Sequence, residues 1–153
     1  MIVFRLSKAA YGLDLSGKGA ERTGGRWNSK GVPMVYTSSS RALCTAEIAV
    51  HVALGLVPSG YQLITVEIPE RYHIEELDLQ ILTGVWKSFP YTRETQQLGD
   101  SFIKNKKSLV MKVPSAVVQG DFNFLINPLH EGIAEIVVLK TEMFLFDERL
   151  FRR

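Results

Sequence analysis

The residues best suited to chemistry lie close together in this chain. Gly24-Gly25-Arg26-Trp27-Asn28-Ser29-Lys30-Gly31 packs three glycines, two cations, an indole and two small polar side chains into eight residues. A turn needs a glycine only where φ is positive. The surplus beside Arg26 and Trp27 suits a loop whose backbone and side chains come close to a ligand. A short β-like run, Met34-Val35-Tyr36-Thr37, follows, then Ser38-Ser39-Ser40 and a helix that carries Glu47. A guanidinium, an aromatic ring and a carboxylate thus arise within about twenty residues, on a loop, a strand and a helix. Such groups hold anions, face planar rings and stabilise positive charge.

Glu47 is conspicuous for its setting. Ser39 or Ser40 can cap the helix by accepting an orphan backbone N–H. Apolar residues at 42, 43, 46, 49, 50, 53 and 54 form a helical stripe, with Cys44 and Ile48 on the opposite side. A helix apolar nearly all round is a buried one. The pattern predicts that it runs to Gly55, with Pro58 preventing its resumption. On that wheel Glu47 falls beside Leu43 and Leu54, at the stripe's edge. A carboxylate there must be paired, hydrogen-bonded or held in a cleft. Arg41 and Arg71 are the candidate partners if it is a structural ion pair. His51, one turn on, reads as a capping or packing residue.

The other elements must position these groups. Ile2 to Leu6 reads as a first strand, with Arg5 either a surface residue or a site residue among apolar neighbours. Ala9 to Thr23 reads as a loop with at most a short helical turn. Gly17-Lys18-Gly19 lacks the spacing, the Lys-Ser/Thr ending and the preceding strand of a P-loop. Tyr61 to Ile68 is a β-branched, aromatic strand, and Tyr72 to Leu77 a short one after Pro69. Trp86 and Phe89, in the ambiguous stretch Ile81 to Tyr91, read as core or lid aromatics. Arg93 to Asn105 is an amphipathic helix with Leu98, Phe102 and Gln97 on one side. Ser108 to Val118 alternates around Pro114 and suggests two short strands meeting at a bend that presents Ser115. No nucleophile-elbow glycines surround Ser115, so it reads as a hydrogen-bonding residue. Asp121 to His130 reads as a compact turn in which Asn123 and Asn127 bond backbone locally. Ala134 to Lys140 and Met143 to Phe146 form a last strand or hairpin. Strands outnumber helices and loops join many of them, which predicts an α+β architecture. No strand–GxGxxG–helix unit marks a Rossmann site.

Composition removes several function classes. The chain has 153 residues, 46% of them apolar and 22% charged, as in a globular domain with a real core. Eighteen basic against 16 acidic residues leave a net charge of +2, with no basic patch for nucleic acid. That balance also argues against a ribonuclease, which wants a basic groove and an acid–base pair. Cys44 is the lone cysteine, so no internal disulfide or zinc cluster is expected, and a small core residue is the plain reading. No stretch resembles a signal peptide or a membrane span, and a cytoplasmic location is expected.

The segment GGRWNSKG, Tyr36, Ser40 to His51 with Glu47 inside, Leu109 to Ser115 (LVMKVPS) and Asn123 to His130 (NFLINPLH) together resemble the RES domain. That family is named for an arginine, a glutamate and a serine, which map onto Arg26, Glu47 and Ser115. The resemblance covers nearly the whole chain, and implies a single domain over residues 1–153. It implies a fold like that of the ADP-ribosyltransferases, with mixed or antiparallel sheets around an NAD⁺ cleft and helices packed outside. It also implies a toxin of a bacterial toxin–antitoxin pair that acts on NAD⁺ as substrate, with no cofactor and no metal.

Under that resemblance Glu47, Arg26 and Tyr36 are the expected catalytic residues. Arg5, Arg26, Tyr36, Ser115 and Asn127 are the expected substrate-binding ones. Cleavage of the nicotinamide–ribose bond develops oxocarbenium character, and nicotinamide leaves neutral, so one carboxylate suffices. Phosphate is the favoured acceptor of the ADP-ribosyl group, which would make the enzyme an NAD⁺ phosphorylase. Water or a protein are the alternatives, as glycohydrolase or ADP-ribosyltransferase. The implied partner is an antitoxin with a helix-turn-helix domain that blocks the active site, and a homodimer within that complex is compatible. A non-catalytic interaction module is the rival of another class.

Overall fold

The computed structural model describes residues 1–152. Seven strands form one sheet: β1 (Ile2–Lys8), β2 (Val35–Ser38), β3 (Tyr61–Glu67), β4 (Ile74–Glu76), β5 (Val110–Pro114), β6 (Phe122–Ile126) and β7 (Val137–Phe144). Their order is β4-β5-β6-β2-β1-β3-β7. All pairs are antiparallel except β4 with β5, so the sheet is mixed. Three α-helices accompany it: α1 (Lys18–Thr23), α2 (Arg41–Ala49) and α3 (Arg93–Asn105). This is the α+β architecture that the pattern predicts, drawn as one sheet rather than several. No helix among the described residues is long and apolar enough to cross a membrane.

The middle of the sheet is sparsely paired. Strands β1 and β3 pair along seven positions, and β2 and β6 along four, but β1 and β2 share only Phe4 with Ser38. Helix α2 lies over β1 and β2 at that seam. Ser40 is its cap, accepting from the Leu43 N–H at 3.0 Å. One core cluster joins Val3, Val35, Ile64, Val66, Val110 and Ile126 across the sheet. A second packs α3, through Phe102 and Ile103, on Met111, Val113, Leu125, Trp27 and Met34. A third sets Cys44 of α2 with Leu6, Leu63, Phe146 and Phe151. Each fully buried aliphatic side chain contributes about 1.5–3 kcal/mol.

Several boundaries differ from the sequence reading. Helix α2 stops at Ala49, six residues before Gly55. Tighter turns follow, with His51 N–H donating to Ile48 O and Val52 N–H to Ala49 O. Gly55 N–H then donates to Phe151 O, which ties this stretch to the C-terminal segment. Inside the stretch Ala9 to Thr23 lie a 3₁₀ turn at Ala9–Tyr11 and the six-residue α1. The bend after Pro114 has no second strand. Ser115 Oγ accepts from the N–H groups of Val117 and Val118, at 3.1 and 3.0 Å, and curls the chain instead. Half of the expected turn Asp121 to His130 is strand β6, whose Phe124, Leu125 and Ile126 are buried between β5 and β2. The last segment is one strand, preceded by a 3₁₀ turn at Glu131–Glu135. Gln97 of α3 is exposed, and Gln96 is the residue that faces inward.

Candidate functional site

The glycine-rich loop is held as a rigid unit. Asn28 is fully buried, and its Nδ2 donates to the carbonyls of Ala20 (2.8 Å), Ser29 (3.2 Å) and Val32 (2.9 Å). Its Oδ1 accepts from the Tyr36 hydroxyl at 2.7 Å, and that hydroxyl accepts from Trp27 N–H at 3.0 Å. Gly25 has no room for a side chain, since a Cβ would sit 2.6 Å from the Tyr36 oxygen and 2.9 Å from Asn28 Oδ1. Helix α3 fastens the loop from behind. Gln96 Nε2 donates to Gly25 O and Asn28 O, and Asp100 Oδ1 accepts from Ser29 N–H. Gly99 lets the helix touch the loop's backbone, because a Cβ there would overlap Trp27 O. Trp27 itself is core, 3% exposed, with its ring 5.9 Å from that of Trp86.

Tyr36 therefore serves the loop with its hydroxyl and the cleft with its ring. Burial pushes its phenol well above the usual range, opposed by the Trp27 N–H and by Arg26. Both the proton and one lone pair of the hydroxyl are already bonded, so the ring is what Tyr36 offers to a ligand.

Glu47 reaches the cleft from α2 and is oriented by two neighbours. Ser115 Oγ donates to its Oε1 at 2.8 Å, and Asn123 Nδ2 donates to the same oxygen at 2.6 Å. Asn123 is held in turn by Ser38, whose hydroxyl donates to Asn123 Oδ1 at 2.7 Å. The expected partners are engaged elsewhere, Arg41 with Glu142 and Arg71 with Glu135. Glu47 has no ion pair among the described residues. Both donors converge on one oxygen, and among the described residues Oε2 has no donor.

Two arginines enter the same space. Arg5 Nη1 donates to Tyr36 O at 3.0 Å, bridging the seam where β1 and β2 part. Its Nε is buried with no hydrogen-bond partner. Burial lowers the pKa of this guanidinium, while Asp14 and Cys44 oppose the shift. Arginine remains a cation at any working pH. Arg26 donates to three backbone carbonyls, Trp86 O at 2.5 Å, Ser88 O at 3.2 Å and Lys87 O at 3.3 Å. It also lies over the rings of Tyr91 and Trp86, at 5.1 and 5.9 Å.

These groups surround a cavity of about 300 Å³. Arg5, Arg26, Tyr36, Glu47, Tyr91 and Asn123 line it, together with His51, Val50 and Val117. Four of the residues expected from sequence, Arg5, Arg26, Tyr36 and Glu47, are thus brought together. Two expected substrate binders are not. Ser115 is 2% exposed, and its hydroxyl is saturated by Glu47 and the two N–H groups of its own turn, so it has no donor left for a substrate. Asn127 is fully buried outside the cavity, where Nδ2 donates to Phe102 O and Ile103 O at the end of α3. Asn123 and Tyr91 were missed. A loop-like asparagine gives no sign of facing a carboxylate from a distant helix, whereas Tyr91 beside two other aromatics could have drawn attention.

A family model described as the RES domain matches residues 2–147. Among curated relatives, the Prs ADP-ribosylating toxin of Sphingobium sp. (strain YBL2) is 36% identical over 142 residues, covering 92% of this chain and 88% of that protein. Toxin Res of Pseudomonas putida (strain KT2440) is 33% identical over 153 residues, covering 99% and 100%. Among solved structures, the M. tuberculosis MbcT–MbcA toxin–antitoxin complex contains a chain that matches with a TM-score of 0.67 at 20% identity, covering 94% of this chain and 84% of that one. At that identity the likeness is one of fold.

Proposed function

This chain belongs to the RES domain family, and from that premise we propose that it is a toxin that cleaves the nicotinamide–ribose bond of NAD⁺. The observation that carries the reading is the setting of Glu47. Two protein donors fix one carboxylate oxygen and leave the other free, in a cavity that also holds an arginine with a buried, unpartnered N–H. As the C–N bond breaks, its electron pair goes to the pyridinium nitrogen, and nicotinamide departs neutral without a proton. Positive charge migrates to the ribose, where the oriented carboxylate stabilises it. Arg5 holds the pyrophosphate through its free N–H groups, and the Tyr36 ring faces the nicotinamide or ribose.

Phosphate is the acceptor we favour. It is already nucleophilic, so it needs no general base, and the cationic cavity suits an oxyanion. Its oxygen forms a bond to the anomeric carbon as the nitrogen leaves. Mass spectrometry of NAD⁺ incubated with the protein, with and without phosphate, tests this. A phosphorylated ADP-ribose that appears only with phosphate is the expected product, whereas free ADP-ribose in both samples makes water the acceptor. Unconsumed NAD⁺ overturns the reading. The name of the Sphingobium relative favours a second acceptor, a protein side chain. Labelled ADP-ribose transferred from NAD⁺ to a lysate protein would establish it. We further propose that a helix-turn-helix antitoxin covers the cleft, in a complex that can contain a toxin dimer.

A further inference from the structure

The two arginines of the cavity are engaged in different ways. Arg5 gives a single N–H to Tyr36 O and keeps a buried Nε with no partner. Arg26 gives its N–H groups to three consecutive carbonyls, those of Trp86, Lys87 and Ser88. Those carbonyls belong to a segment that has little else to hold it. Between Thr83 and Pro90 only Trp86 is partly buried, and Phe89 is 75% exposed. Its front is tied by Thr83 Oγ1 donating to Glu94 Oε2 at 2.7 Å. Otherwise the Trp86 ring rests on Trp27, and Arg26 lies between the rings of Trp86 and Tyr91.

We infer that Arg26 is a positioning residue: it pins the strap Trp86–Ser88 beside the cavity and so sets Tyr91 in the cavity wall, while Arg5 is the arginine that meets the anion. A guanidinium suits this work, because its planar fork reaches several acceptors from one rigid group. The strap takes three of the five N–H groups of Arg26, so a ligand phosphate meeting this residue has only Nε–H and one Nη2–H to use. Lysine at this position keeps the charge and cannot span three carbonyls. The assignment of Arg5 to the pyrophosphate rests on the NAD⁺ reading. The pinning of the strap does not.

Hydrogen exchange on the ligand-free protein separates the two roles. Trp86 and Ser88 N–H groups donate to Thr83 O and Val85 O, so the strap has amides whose protection can be followed. In Arg26→Lys those amides should exchange roughly tenfold faster or more, while β3 and α3 exchange as in the unaltered protein. In Arg5→Lys the strap should keep its protection although NAD⁺ binding falls. Strap exchange unchanged in Arg26→Lys, together with weakened NAD⁺ binding, would make Arg26 a plain anion fork and overturn the inference. So would faster exchange throughout β3 and α3, which would make Arg26 a general stability residue. Failure of the wild-type protein to consume NAD⁺ would remove the proposed activity and leave the strap result standing.

Discussion

Ser115 donates its hydroxyl proton to Glu47 Oε1 at 2.8 Å, joining residues 68 positions apart in the chain. The same oxygen that donates also accepts from Val117 and Val118 N–H. One serine therefore shapes the turn after β5 and aims the carboxylate of α2. On the proposed reading its role is orientation rather than contact with substrate.

Ser115→Ala should therefore separate two effects. Two amides lose their acceptor, which costs about 1–3 kcal/mol and lowers the melting temperature. Glu47 keeps Asn123 but loses its second donor, so kcat should fall roughly tenfold to a hundredfold with a smaller change in KM for NAD⁺. Steady-state kinetics on folded protein checks this. A raised KM with unchanged kcat would instead make Ser115 a direct substrate ligand.

Glu47→Gln tests the charge alone. The glutamine Oε1 can still accept from Ser115 and Asn123, so the fold should be kept and the melting temperature should stay close to that of the unaltered protein. Turnover should drop by roughly a hundredfold or more, because the negative charge facing the ribose is gone. Thermal unfolding and NAD⁺ consumption measured on one preparation decide the matter: a destabilised but fully active variant would end the catalytic assignment.

Tyr36→Phe tests the loop. It leaves Trp27 N–H and Asn28 Oδ1 without their shared partner, again at a cost of about 1–3 kcal/mol. The raised phenol pKa adds a pH signature. The unfolded chain loses this proton from about pH 10, whereas the folded protein retains it to higher pH because the buried hydroxyl is held neutral. Above about pH 10 the unfolded state binds fewer protons than the folded one, so stability falls with rising pH, by up to about 1.4 kcal/mol per pH unit. Denaturant unfolding between neutral and alkaline pH should show that slope, and the phenylalanine variant should show less of it. An identical slope in both would place the titration elsewhere.

Much of the scaffold was legible in the sequence. Helix α3 runs from Arg93 to Asn105 as its pattern predicts, and Ser40 caps α2. These are local effects, set by periodicity and by one side chain reaching its own backbone. The misreadings share a different cause. Strand β6 contains Asn123 and precedes Asn127 and Pro128, residues that in isolation favour turns, yet pairing with β5 and β2 outweighs that preference. Past Ala49 the chain tightens into shorter turns and Gly55 N–H bonds Phe151 O, a partner near the far end of the chain that no local pattern names. At the site, residue type pointed to Arg26, Tyr36 and Glu47. It could not say that the hydroxyls of Tyr36 and Ser115 are already bonded, since their partners are chosen only when distant strands and loops meet.

The contact between Gly99 and Trp27 O has a consequence for how such a protein can change over generations. Helix α3 and the glycine-rich loop have no clearance between them at this point, though about seventy residues separate them in the chain. Neither can be exchanged for a homologous segment that differs at the junction unless the other is exchanged with it. Recombination between relatives with a breakpoint between these two segments should therefore yield inactive chimeras wherever the parents differ at this junction. Gly99 and the loop around Trp27 must be inherited together.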